Sequence, residues 1–144
     1  MTCEACRTIA PFVAKDYELA GTYETIGNVR TYVTGSKTAT AGIVDIFDVF
    51  GFSTQTLQGA DILASETNSL VVVPDLFDGQ TLSHDCIPPD TDEKKETLSK
   101  FLGGPASVSR VVGLFPSMVE GYQEGFPAVK KWAAFGLCWG GKVG

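Results

Sequence analysis

Histidine is almost missing from these 144 residues: His84 is the only one. Basic clusters are equally scarce. Lys and Arg adjoin only at Lys94-Lys95 and Lys130-Lys131, the formal charge is -6 and the pI is near 4.6. That balance leaves no electrostatic footprint for nucleic acid or an anionic membrane, and a small ligand fits better. No apolar run approaches the ~20 residues that span a bilayer, and Met1 to Arg7 lack the basic and apolar regions of a secretory signal. The expectation is a soluble, cytoplasmic protein. Four cysteines, Cys3, Cys6, Cys86 and Cys138, are too few in so apolar a chain for a disulfide-framed secreted module, so reduced thiols are expected.

What is present is the material of one globular domain. The chain is 44% hydrophobic and 19% charged, enough to build a core, and its glycines and prolines punctuate segment ends. Residues 1–21 carry CEAC without clear periodicity and read as a loosely packed N-terminal arm; residues 22–144 read as the domain. Thr22 to Ile26 and Val29 to Thr34, separated by Gly27-Asn28, predict an antiparallel hairpin. Ala41 to Phe47 and Leu70 to Val73 are buried-strand runs, and between them Leu57, Ala60, Leu63 and Ala64 share one helical face over Thr54 to Ala64. Gln80 to Pro89 is a polar loop. Thr91-Asp92-Glu93 starts a helix that Gly103-Gly104-Pro105 stops. A helical period then runs from Val108 to Tyr122, interrupted by Pro116, and Lys131 to Phe135 is the next strand.

This alternation predicts an α/β fold: a mostly parallel sheet with helices on both faces, its chemistry at the carboxyl ends of the strands. The segments after those ends are DVFGF, PDLFDG and GLCWGGK. Gly136-Leu137-Cys138-Trp139-Gly140 follows a strand and has the pattern of a nucleophile elbow, with Cys in the usual Ser position. The spacing has a mechanical cause. The sharp turn strains the central residue, and glycines two positions before and after it remove side chains that would collide. A thiol there would also meet a helix N-terminus, which favours thiolate. A buried, inert core cysteine is the competing reading of the same letters.

GLCWGG, together with DVFGF and VVVPDLF in that order, resembles the dienelactone hydrolase family, particularly its fungal members, over roughly residues 22 to 144. The resemblance implies an α/β-hydrolase in which Cys138 attacks a lactone or ester carbonyl and forms an acyl-enzyme, with a histidine base oriented by an Asp. It implies an oxyanion hole from the backbone N–H groups of Trp139 and Val49. Asp48 falls where family members carry an acidic residue, often Glu, that interacts with the resting thiol; a solvated or turn-forming Asp is the alternative. No cofactor or metal is implied.

The sequence departs from the family pattern at one point. The triad order is nucleophile, acid, histidine, and only six residues follow Cys138. His84 lies upstream and does not match the family's base. Since such domains run to roughly 200–250 residues, the sequence reads as a fragment truncated after the elbow, inactive alone, with an unpaired sheet edge open to self-association. The competing function is a catalytically dead partial fold that binds a partner through that edge. Two other motifs are weaker. Gly136 to Val143 nearly matches a P-loop, but Val143 replaces the Mg²⁺-binding hydroxyl. Cys3 and Cys6 form a lone CxxC without a second ligand pair at standard spacing.

Overall fold

The structure, a computed structural model, describes residues 16–144. It is built on a five-stranded sheet in the order β1–β2–β4–β3–β5, with β1 Thr22–Ile26, β2 Val29–Thr34, β3 Ala41–Ile46, β4 Leu70–Pro74 and β5 Lys131–Gly136. β4, β3 and β5 run parallel, while β2 pairs antiparallel with both β1 and β4. The hairpin turn works because Gly27 and Asn28 both take positive φ, +56° and +65°, as a two-residue turn between twisted strands requires.

Helices cover both faces. Helix α1, Thr54–Thr67, lies over the face that carries Tyr32, whose hydroxyl donates to Asp61 at 2.8 Å. It outruns the predicted end at Ala64 and closes where Asn68, in the left-handed region, returns its N–H to the Ala64 carbonyl. Helix α2, Asp92–Gly103, starts at Thr91, whose side chain caps the Lys94 N–H. The helical stretch after it is two helices, α3 Val108–Val112 and α4 Phe115–Gly125, parted at Gly113-Leu114. Pro116 sits in the first turn of α4, where its missing N–H costs nothing. Helix α4 covers the opposite sheet face, its Tyr122 ring stacked on Trp132 at 5.4 Å.

The core sits between these layers, centred on Leu70 to Val73 of β4, which are fully buried, with Phe47, Leu76 and Phe77 beyond the strand ends. Residues 1–15, with Cys3 and Cys6 and most of the expected arm, lie outside the described residues. At the described end of that arm, residues 16–21, the chain bonds to the domain. Tyr17 Oη and the Ala20 N–H both donate to Asp61, and the Gly21 N–H donates to Tyr32 Oη. Among the described residues no helix is long and apolar enough to cross a membrane.

Candidate active site

At the carboxyl end of β5 the chain turns sharply through Leu137 and Cys138. Cys138 has φ +53°, a conformation that L side chains rarely adopt and that costs of the order of 1–3 kcal/mol. The flanking glycines explain how the turn closes. A Cβ on Gly136 would run into the Gly140 carbonyl, and one on Gly140 would run into the Ile46 carbonyl oxygen of β3. The elbow is therefore pressed against the end of the neighbouring strand, and the Leu137 N–H donates to the same Ile46 carbonyl at 3.2 Å. Among the described residues Cys138 itself is exposed and free. After Trp139 the chain enters a 3₁₀ turn, Gly140–Lys142.

Val49 lies in the turn that leaves β3. Its carbonyl accepts from the Leu82 N–H at 3.1 Å, but its own N–H donates to nothing among the described residues. The same holds for the N–H of Trp139. Two unengaged backbone donors, one after the elbow cysteine and one after β3, are what a developing oxyanion needs. The Trp139 side chain is anything but free: it is buried, its Nε1 donates to the Ala106 carbonyl at 2.9 Å, and its ring meets Phe77 edge-on at 4.7 Å.

Asp48 forms a turn. Its Oδ1 accepts the Phe50 N–H at 2.8 Å and its carbonyl accepts the Gly51 N–H. Burial pushes its carboxyl above the usual range, while the Phe50 N–H and the nearby His84 pull it back. No hydrogen bond joins Asp48 to Cys138 among the described residues. His84, in the 3₁₀ turn His84–Cys86, packs edge-on against Phe50 at 4.2 Å, so the polar loop folds over the Asp48 turn. Asp75 is a strand-end turn former, accepting the Phe77 and Gly79 N–H groups.

One group escaped sequence reading. Asp45 lies on β3 beside Phe135, is 3% exposed and among the described residues leaves Oδ1 without a partner. Burial, and then repulsion from Asp48, push its carboxyl up to about 7. A single Asp in the apolar run AGIVDIF was the available signal, but alternation alone does not reveal that the surrounding faces bury it. Among the described residues no three His, Cys, Asp or Glu side chains converge to hold a metal. A groove of about 340 Å³ lined by Thr34, Asp61, Ser65 and Asn68 lies at the opposite end of the sheet, away from the elbow.

Comparison with known proteins bears on the family and the fold. Residues 29–144 match the dienelactone hydrolase family. An uncharacterized AIM2 family protein of Schizosaccharomyces pombe is 34% identical over 144 residues, covering 99% of this chain and 58% of the relative. A second AIM2 family protein of that yeast, also uncharacterized, is 31% identical over 90% of this chain and 52% of its own length. Among solved structures, TT1662 from Thermus thermophilus superposes with a TM-score of 0.58 at 12% identity, over 88% of this chain and 50% of that one. The structure m3DLH gives 0.52 at 18% identity, over 88% and 51%. Both superpositions show the shared α/β-hydrolase fold, and the chain spans about half the length of the proteins it matches.

Proposed function

This chain belongs to the dienelactone hydrolase family, and from that premise we propose that Cys138 is a nucleophile that takes an acyl group from a small ester or lactone. The observation that carries the reading is the exposed, positive-φ Cys138 on a glycine-flanked turn, with the Trp139 and Val49 N–H groups both unengaged among the described residues. The thiolate adds to the carbonyl carbon, the two N–H groups hold the resulting oxyanion, and the alkoxide leaves to give a thioester. Asp48 is the acidic residue near the thiol. Its turn-bound carboxylate would reach Sγ by exchanging the Phe50 N–H for the thiol.

Deacylation needs a base to activate water, and His84, the only histidine here, packs on Phe50 upstream of the elbow. We therefore expect the 144-residue chain to acylate once and turn over negligibly. With 4-nitrophenyl acetate, the account expects a burst of about one equivalent of nitrophenolate that disappears in Cys138→Ala. Sustained Cys138-dependent turnover would contradict the single-acylation reading, and no burst would contradict the nucleophile. A cytoplasmic location accords with the free thiols of Cys86 and Cys138.

A second reading is favoured by a different observation. β5 is an edge strand whose Ala133, Ala134 and Phe135 are exposed, with Leu137 55% exposed beyond it. Such an edge offers unpaired backbone groups for strand addition, so the same chain would act as a binding protein that associates with itself.

A further inference from the structure

We infer that the indole of Trp139 is a positioning residue, clamped to the turn after α2 so that the backbone N–H of Trp139 keeps its aim at an oxyanion. The inference rests on the reading of Cys138 as an acyl acceptor, and adds to it what holds the hole in shape. A backbone donor is useful in catalysis only when its direction is fixed before charge develops. The turn itself is held by backbone bonds, Gly140 N–H to the Leu137 carbonyl at 2.8 Å and Lys142 N–H to the Trp139 carbonyl at 2.9 Å, but these are local to the turn and do not tie it to the rest of the domain. The segment after Trp139 is one 3₁₀ turn containing Gly140 and Gly141, and the residue before it is the strained Cys138.

The side chain adds a constraint from outside the turn. Trp139 is 4% exposed, and Nε1 reaches the carbonyl of Ala106, which is 1% exposed and thirty-three positions away in sequence, at 2.9 Å. The ring packs on Phe77, which also meets Phe47 at 4.8 Å and Phe101 at 5.0 Å, so the clamp touches the ends of β3 and α2. The Ala106 carbonyl is itself held. The Ala106 N–H donates to Phe101 O, and the Arg110 guanidinium donates both to Pro105 O at 3.0 Å and to Leu76 O at 2.7 Å. Arg110 thus brackets the Pro105-Ala106 turn against the loop after β4, and Trp139 hangs from that bracket. An indole fits the position because it couples a large apolar body to one N–H donor, and a buried donor without a partner is costly.

Two reactions at the same sulfur separate positioning from reactivity. Acylation by 4-nitrophenyl acetate forms an S–C bond to the acyl carbon through an oxyanion and expels 4-nitrophenolate. Alkylation by iodoacetamide forms an S–C bond and expels iodide, with no oxyanion. In both, the thiol proton goes to solvent first. Rates at Cys138, followed by peptide mapping of the 144-residue chain, give an acylation-to-alkylation ratio. In Trp139→Phe, which keeps a ring and loses the N–H, we expect that ratio to fall about tenfold with alkylation within about twofold of the parent. In Arg110→Met, at an exposed position, we expect a fall of about threefold.

Ratios equal to the parent's in both variants would overturn the inference. If Trp139→Phe loses both reactions through misfolding, Arg110→Met decides: a lowered ratio supports the clamp and an unchanged one removes it. A parent chain that is alkylated but not acylated at Cys138 would instead sink the nucleophile reading, and the clamp with it.

Discussion

Asp45 places a titratable group inside the sheet, one strand from the elbow strand, and its ionisation sets a pH limit on stability. Its carboxyl is pushed up to about 7, against an ordinary 3.8, by burial and by Asp48. A folded-state pKa raised in this way means that the native chain holds a proton that the unfolded chain has released. Stability therefore falls as pH rises from about 4 through about 7, and is flat above. Asp45→Asn removes the titration. The gain of the variant over the parent should grow by on the order of 2 kcal/mol between pH 5 and pH 8 in urea melts; a gain independent of pH would show that Asp45 is solvated. At this scale the sequence was legible where geometry is local. The G-x-C-x-G spacing announced the strained cysteine because the glycines are needed by the turn itself. Asp45 and the Trp139 indole were not legible, since their surroundings come from Phe135 and Ala106, far along the chain.

At the scale of elements, Asp61 shows how one carboxylate joins three segments. From α1 it accepts Tyr17 Oη, the Ala20 N–H and Tyr32 Oη, fixing the entering chain and β2 to the helix. Asp61→Ala leaves the buried Tyr32 hydroxyl and two less buried donors without this acceptor and should cost about 2–4 kcal/mol. Tyr17→Phe, which loses one partly buried bond, should cost about 1 kcal/mol; equal losses in denaturant melts would refute the hub. Gly140→Ala should destabilise the chain by more than 1 kcal/mol, because its Cβ meets the Ile46 carbonyl of β3, and thermal melting checks this. The strands were read nearly residue for residue, since β-branched runs bounded by Gly, Pro and Asn carry their own limits. The split between α3 and α4 was visible only as Pro116. Gly113, which caps the first of the two helices, is the glycine stop signal that the spacing of Val112 and Phe115 obscured.

For the whole molecule, the sheet runs from a hairpin at β1 to an uncovered edge at β5. Ala133, Ala134 and Phe135 are exposed along that edge, and on the binding reading self-association should rise with concentration in sedimentation measurements. Ala134→Lys, a charge on the exposed edge strand, should suppress it; a monomer at all concentrations would remove the binding reading. The same architecture puts the elbow where β3 and β5 end together, with the Val49 and Trp139 donors on adjacent turns. The fold class was legible from alternating periods and three ordered strand-end motifs, whereas the folding of the His84 loop over Asp48 required the three-dimensional structure. The central claim is that Cys138 is the acyl acceptor. Its most direct test is intact-mass analysis and peptide mapping of the chain after exposure to 4-nitrophenyl acetate at pH 8. The account predicts one acetyl group, carried by Cys138 and absent from Cys138→Ala. An unmodified Cys138, with acetyl on Cys86 or spread over the lysines, would contradict it.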